Sequence, residues 1–206
     1  LYAQPTRPIS EDFETDRVGG TPVNGDVMEF GAGRIRVTDE RAASGSNSLK
    51  ITDASDLRQV WLPRVYYSAN HRDGRVRLAF DIFLSEEQAP RLFVDPRQYS
   101  ETGGAEYYSG PMLTIAPDGL VTMRETELTR LPLGHWVNIE MILTLGEGAP
   151  NSTPMTVTVQ GEDAVEIDVP HASADFRWLE RVVFASIADE ETVFYLDNIV
   201  IGEVGE

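Results

Sequence analysis

Between residues 58 and 97 the chain gathers side chains suited to holding a sugar: Arg58, Trp61, Arg64, Tyr66, Tyr67, His71, Arg72, Arg75, Arg77, Arg91 and Arg97. Aromatic faces stack on C–H-rich ring surfaces, and planar polar groups hydrogen-bond hydroxyls in pairs. The stretch holds seven arginines against five acids, a net +2, on a chain whose net charge is −17. An arginine-rich island on an acidic protein suits a uronate or a sulfate, because a guanidinium grips such a group with two parallel hydrogen bonds. A second aromatic group, Tyr99 with Tyr107 and Tyr108, flanks Thr102-Gly103-Gly104-Ala105. Loops on a rigid scaffold are where binding residues concentrate. The expected ligand-binding set is Arg58, Trp61, Arg64, Tyr66, Tyr67, His71, Arg91, Tyr107 and Tyr108. The competing reading packs Trp61 and the Tyr66-Tyr67 pair in the core and lets the arginines pair with surplus acids.

No catalytic set is complete, so no catalytic residue is expected. His71 with Tyr66, Tyr67 and Arg64 has the residue types of a base-catalysed elimination at a uronate. A lone histidine in Asn70-His71-Arg72-Asp73-Gly74 is more often an exposed turn residue. His135 and His171 border strand ends without an evident partner. There is no His-x-His, no Gly-x-Ser-x-Gly and no phosphate loop. The absence of cysteine excludes disulfides and Cys-based metal sites.

The elements that must position these residues are strands. Val76, Leu78, Phe80, Ile82 and Leu84 alternate with Arg77, Ala79, Asp81 and Phe83, a period of two. Val137 to Leu143 and Met155 to Val159 repeat the pattern, while Val182 to Ile187 and Val193 to Ile201 are more continuously apolar, as central strands covered on both faces are. Asp73-Gly74, Gly103-Gly104, Pro117-Asp118-Gly119, Gly146-Glu147-Gly148 and Gly161-Glu162-Asp163 punctuate them, with Ala116 to Leu120 the clearest hairpin. Ser173 to Leu179 reads as one short helix or a turn. Many short strands with regular turns predict an antiparallel β-sandwich or barrel over residues 10–206, a single all-β domain preceded by an extended lead-in at 1–9.

The two ends of the chain carry a further signal. Asp12-Phe13-Glu14 and Ala43-Ser44-Gly45-Ser46-Asn47-Ser48-Leu49 stand near the start, and Val193-Phe194-Tyr195-Leu196-Asp197-Asn198-Ile199 near the end. This combination resembles the jelly-roll carbohydrate-binding modules of the concanavalin A-like lectin and glucanase group. The resemblance implies a jelly roll whose first and last strands lie side by side, glycan binding, and a structural calcium at that seam. Glu14 and Asp197 match its carboxylate positions and the Gly45–Ser48 turn its carbonyl donors. Calcium takes six to eight oxygens, so these are a partial set. Without a metal, Asp197 would cap a strand end or accept hydrogen bonds from the 46–48 loop, and Glu14 would be solvated. The chain departs from relatives on this fold in two places. The hydrolytic pattern Glu-x-Asp-x-x-Glu is met only by Glu125 and Glu127, with Arg130 close behind. The lyase patterns Gln-x-His and Tyr-x-Lys are missing.

Composition sets the outer bounds. A hydrophobic share of 41% over 206 residues supports one sizeable core. No apolar run approaches the roughly 20 residues of a membrane-spanning helix. The strong negative charge argues against nucleic acid as a partner. Lys50 is the only lysine among 17 basic residues. Such an acidic, lysine-poor composition suits high salt, or reflects arginine-rich codon usage. Leu1-Tyr2-Ala3-Gln4-Pro5 reads either as a mature N-terminus left by signal-peptide removal or as a cut boundary; the first points to a secreted or cell-surface protein. Three function classes remain. The first is a non-catalytic, lectin-like module binding a polysaccharide, an acidic one if the arginines serve it. The second is a polysaccharide lyase or glycoside hydrolase on the same fold. The third is a structural or adhesive sandwich within a larger multidomain envelope protein.

Overall fold

The computed structural model describes residues 5–55, 57, 59–100 and 106–204, so Arg58 and the Gly103-Gly104 turn lie outside the described residues. Sixteen strands succeed one another among them: β1 Ile9–Glu11, β2 Asp26–Met28, β3 Arg34–Thr38, β4 Ser48–Thr52, β5 Arg64–His71, β6 Gly74–Leu84, β7 Leu92–Tyr99, β8 Tyr107–Ser109, β9 Leu113–Ile115, β10 Leu120–Met123, β11 Thr126–Arg130, β12 Trp136–Leu145, β13 Ser152–Val159, β14 Val165–Pro170, β15 Leu179–Ser186 and β16 Val193–Glu203. They build two eight-stranded sheets. The first has the order β14-β13-β12-β6-β16-β4-β3, with β1 also on β16; the second has β11-β10-β9-β7-β15-β5-β2, with β8 also on β7. Adjacent strands pair antiparallel in both.

The period-two segments do what their pattern dictates. Phe80, Ile82, Val137, Ile139, Met141, Val157, Phe184 and Leu196 all turn inward and are buried. Phe80 of β6 meets Phe184 of β15 edge-on at 5.1 Å, which ties one sheet to the other. Each such side chain contributes roughly 1.5–3 kcal/mol by leaving water. The two continuous apolar segments, β15 and β16, are central strands, each with partners on both sides. The Ala116–Leu120 hairpin closes as its sequence requires. Gly119 has φ of 80° and donates to Ala116, and a Cβ there would stand 2.1 Å from the Leu131 carbonyl oxygen.

Residues 173–178 form a turn with no helix. The lead-in ends by joining the first sheet, since Ile9 pairs with Ile201 and Glu11 with Ile199. The first strand therefore does lie beside the last. Glu125 does not share a strand face with Glu127: Arg124, at φ of 52°, and Glu125 form the tight turn between β10 and β11. The polar Arg124-Glu125 pair makes that hairpin turn rather than continuing a strand.

The outer face of the first sheet carries one row in register across five strands: Arg36, Lys50, Tyr195, Phe83 and Trp136. Phe83, Tyr195 and Val193 form a small cluster there with Trp136 against it. Arg41 lies over it, 4.1 Å from the Phe83 ring centre and 4.8 Å from that of Tyr195. The charges nearby are closed in pairs, Arg36 with Glu29, Lys50 with Glu40 at 2.7 Å and Arg77 with Glu140 at 2.6 Å.

Candidate functional site

The outer face of the second sheet gathers the other arginines and tyrosines. β5, β15 and β7 lie side by side, and alternation sends Arg64, Tyr66 and Ser68, then Arg181 and Val183, then Phe93, Asp95, Arg97 and Tyr99 to the same side. Register places Arg181 directly between Arg97 and Ser68, and Val183 between Asp95 and Tyr66. Arg97 donates through Nε to Asp95 Oδ2 at 2.6 Å, and both are enclosed, with 6% and 1% of their surfaces exposed. Burial pushes the Asp95 carboxyl up, and Arg97 offsets only part of that. The Arg97 guanidinium also stacks on Tyr107 at 4.0 Å.

Arg181 has no such acid. Its guanidinium lies 4.9 Å from the ring centres of both Tyr66 and Tyr99. Its Nε is buried with no hydrogen-bond partner among the described residues, and Asp95 Oδ1 is buried likewise. The face therefore presents two adjacent guanidinium groups, one buried carboxylate and three phenol rings. Chemically, this can hold an anion by charge-assisted hydrogen bonds and hold flat rings by stacking.

The expected binding set divides. Arg64, Tyr66 and Tyr107 reach this face, with Arg64 donating to the Met28 sulfur at 2.9 Å through Nη2. Trp61 stands in the loop before β5, 43% exposed, and Arg91 just before β7; both border the face at one end. Tyr108 lies on β8 beside Gln98, outside the row that holds Tyr107. Two assignments are corrected. Tyr67 is fully buried and meets Phe184 edge-on at 6.4 Å, because period two points it opposite to Tyr66. His71 is 2% exposed on that same inward side, and burial lowers its pKa below the ordinary imidazole value. The basic stretch is no single patch, since β5 belongs to the second sheet and β6, with Arg75 and Arg77, to the first. Sequence reasoning missed Arg181 and Asp95. Asp95 was within reach, since Phe93, Asp95, Arg97 and Tyr99 stand at intervals of two.

At the seam of the chain ends, one turn serves both expected metal ligands. Glu14 Oε1 accepts the backbone N–H groups of Ser46 and Asn47 at 2.8 and 2.7 Å. Asp197 Oδ2 accepts those of Ala43 and Ser44 at 2.8 and 3.2 Å, and its Oδ1 accepts that of Asn198 at 2.8 Å. The turn offers these carboxylates amide hydrogens. Among the described residues no three His, Cys, Asp or Glu side chains converge on a cation position. The donor set fits calcium only in its two carboxylates. Burial raises the Asp197 pKa to about 6 despite the three amides.

No protein-family model matches the chain, and a search of curated proteins finds no match. Solved structures do resemble it. An endo-β-1,4-glucuronan lyase from the fungus Trichoderma reesei superposes with a TM-score of 0.68 at 12% identity, over 97% of this chain and 96% of that one. The catalytic domain of a glycoside hydrolase family 131 protein from Coprinopsis cinerea gives 0.60 at 15% identity, over 95% and 93%. A marine PL-14 alginate lyase from Aplysia kurodai gives 0.53 at 12%, over 82% and 87%. At these identities the likeness is one of fold. Together with the two antiparallel sheets and the paired chain ends, it makes this chain a jelly-roll sandwich of the concanavalin A-like type.

Proposed function

We propose that the outer face of the second sheet binds an acidic polysaccharide, with a uronate carboxylate held across Arg97 and Arg181 and sugar rings resting on Tyr66, Tyr99 and Tyr107. One observation carries the reading. Arg181 stands in register beside Arg97 with a buried, unpartnered Nε, while the one buried acid of this face is already engaged by Arg97. A buried N–H short of an acceptor is costly, and a ligand carboxylate offsets that cost. Two of the similar structures are lyases named for glucuronan and alginate, both acidic polysaccharides, which supports the ligand class. Such ligands are met outside cells, so the protein acts as a secreted or surface module, alone or within a larger chain. The test is calorimetric titration with oligouronates against neutral glucans. Selective, salt-weakened uronate binding is expected, and retention of no glycan on a broad array would leave only the structural or adhesive role.

A lyase is the second reading, favoured by one specific observation: Tyr66 and Tyr99 flank the same guanidinium that would neutralise the uronate. One phenol, ionised, would take the proton next to the carboxylate, a carbon–carbon double bond would form as the glycosidic carbon–oxygen bond breaks, and the leaving oxygen would take a proton from the other phenol. Ultraviolet absorbance of unsaturated product, lost in Tyr66→Phe or Tyr99→Phe, would establish it; its absence with tight binding supports the non-catalytic module.

Calcium at the seam is a separate proposal, held in part by Glu14 and Asp197. Support would be a melting temperature that falls with chelator and recovers with calcium. Indifference to chelator would assign the seam to its amide hydrogen bonds alone.

A further inference from the structure

We infer that the polysaccharide runs across the strands, and that a hollow beyond the arginine pair, lined by Tyr107, Met112 and Arg124, takes a further sugar residue of the same chain. This rests on the proposed function. The row Ser68, Arg181, Arg97, Ser109 is in register across β5, β15, β7 and β8. Three strand spacings make it about 14 Å long. Ser109 is also a wall of the hollow, whose other walls include Tyr107, Met112, Arg124, Ala172 and Ser173. Tyr107 forms the ridge between the two: Arg97 lies 4.0 Å from its ring centre, yet 42% of the residue is exposed.

The far wall is built rather than loose. Ala172 donates its N–H to the Gly110 carbonyl at 2.8 Å and Ser173 donates to that of Ser109 at 2.9 Å. Arg124, fixed in the β10–β11 turn, donates one N–H to the Ala172 carbonyl. A guanidinium has five N–H donors, and Arg124 is exposed, so it keeps donors and charge for a hydroxyl or carboxylate. Met112 supplies an apolar, adaptable floor beside the tyrosine ridge. Cation, apolar floor and aromatic wall make the hollow a match for a uronate ring.

The experiment titrates the protein with the disaccharide and the hexasaccharide of β-1,4-linked glucuronic acid. The quantity read is the ratio of the two affinities. Wild type should favour the hexasaccharide, and Arg124→Ala should reduce that preference about tenfold. Because Arg124 also holds Ala172, Met112→Trp serves as a second variant that fills the hollow and leaves that bond in place; it should reduce the ratio similarly. A wild-type ratio near one, unchanged ratios in both variants, or equal losses for both oligomers would overturn the subsite. In each of those cases binding that still depends on Arg181 would keep the proposed function. No binding of either oligomer by wild type would sink both.

Discussion

Two arginines on opposite outer faces share one arrangement and differ in one respect. Arg41 on the first sheet and Arg181 on the second each lie over two aromatic rings within 5 Å. Arg41 is exposed, so its N–H groups are open to solvent. Arg181 has a buried Nε without a protein acceptor among the described residues. Ring-stacked arginine is therefore not in itself a binding signal. Under the proposed function, burial is what separates a cap on a small apolar cluster from a receptor for an anion.

The largest expected effect tests that distinction directly. Arg181→Ala should weaken oligouronate binding by about 2–5 kcal/mol, at least thirtyfold. Arg41→Ala should leave it within twofold; comparable losses in titration would erase the contrast. The two ion pairs carry the contrast from binding over to stability. Asp95→Asn strands Arg97 in an enclosed site and should cost about 3–5 kcal/mol in denaturant unfolding. Glu140→Gln, which opens the half-exposed pair with Arg77 on the first sheet, should cost less than about 1 kcal/mol. Equal costs would mean that the second face is better hydrated than its geometry indicates.

A smaller effect separates two groups by pH. Asp197, on the first sheet, titrates near 6 when folded, above its unfolded value, so it adds stability as pH falls from 6 toward 4. His171, at the end of β14, is held down to about 4, chiefly by burial and then by Arg177. Its contribution is complete above the unfolded value near 6.5 and is lost as pH falls toward 4. The two oppose each other in one window. Asp197→Asn should therefore make the melting temperature fall more steeply between pH 6 and 4 than in wild type. Parallel curves would show that Asp197 is not raised. The smallest change is the stability of Arg41→Ala, a loss of about 0.5–1 kcal/mol from its ring contacts.

The fold was legible because its signals are local. Alternation in β6 and β12 and the turn at Pro117-Asp118-Gly119 each need only a few neighbouring residues. The site was legible by half. Arg64, Tyr66 and Tyr107 have suitable chemistry and also face outward, whereas Tyr67 has the chemistry and the wrong parity. Residue type alone could not tell these apart, but strand register could. Arg181 was out of reach for another reason. It enters the row from β15, more than 80 residues after Arg97 in the chain, and only the pairing of β15 with β7 and β5 brings it there. Arg75 and Arg77 show the converse, since proximity in sequence put them on the opposite sheet.

The central place of β16 also governs when the molecule can assemble. This strand fills the space between β6 on one side and β4 and β1 on the other, and β15 does the same between β7 and β5. Both follow in the chain all the strands they join. Without β16 the first sheet is three separate pieces, and without β15 the second is two, each with open edges. Long-range closure of this kind is slow and leaves strand edges exposed to other chains. Neither sheet can therefore close before its own central strand has joined it.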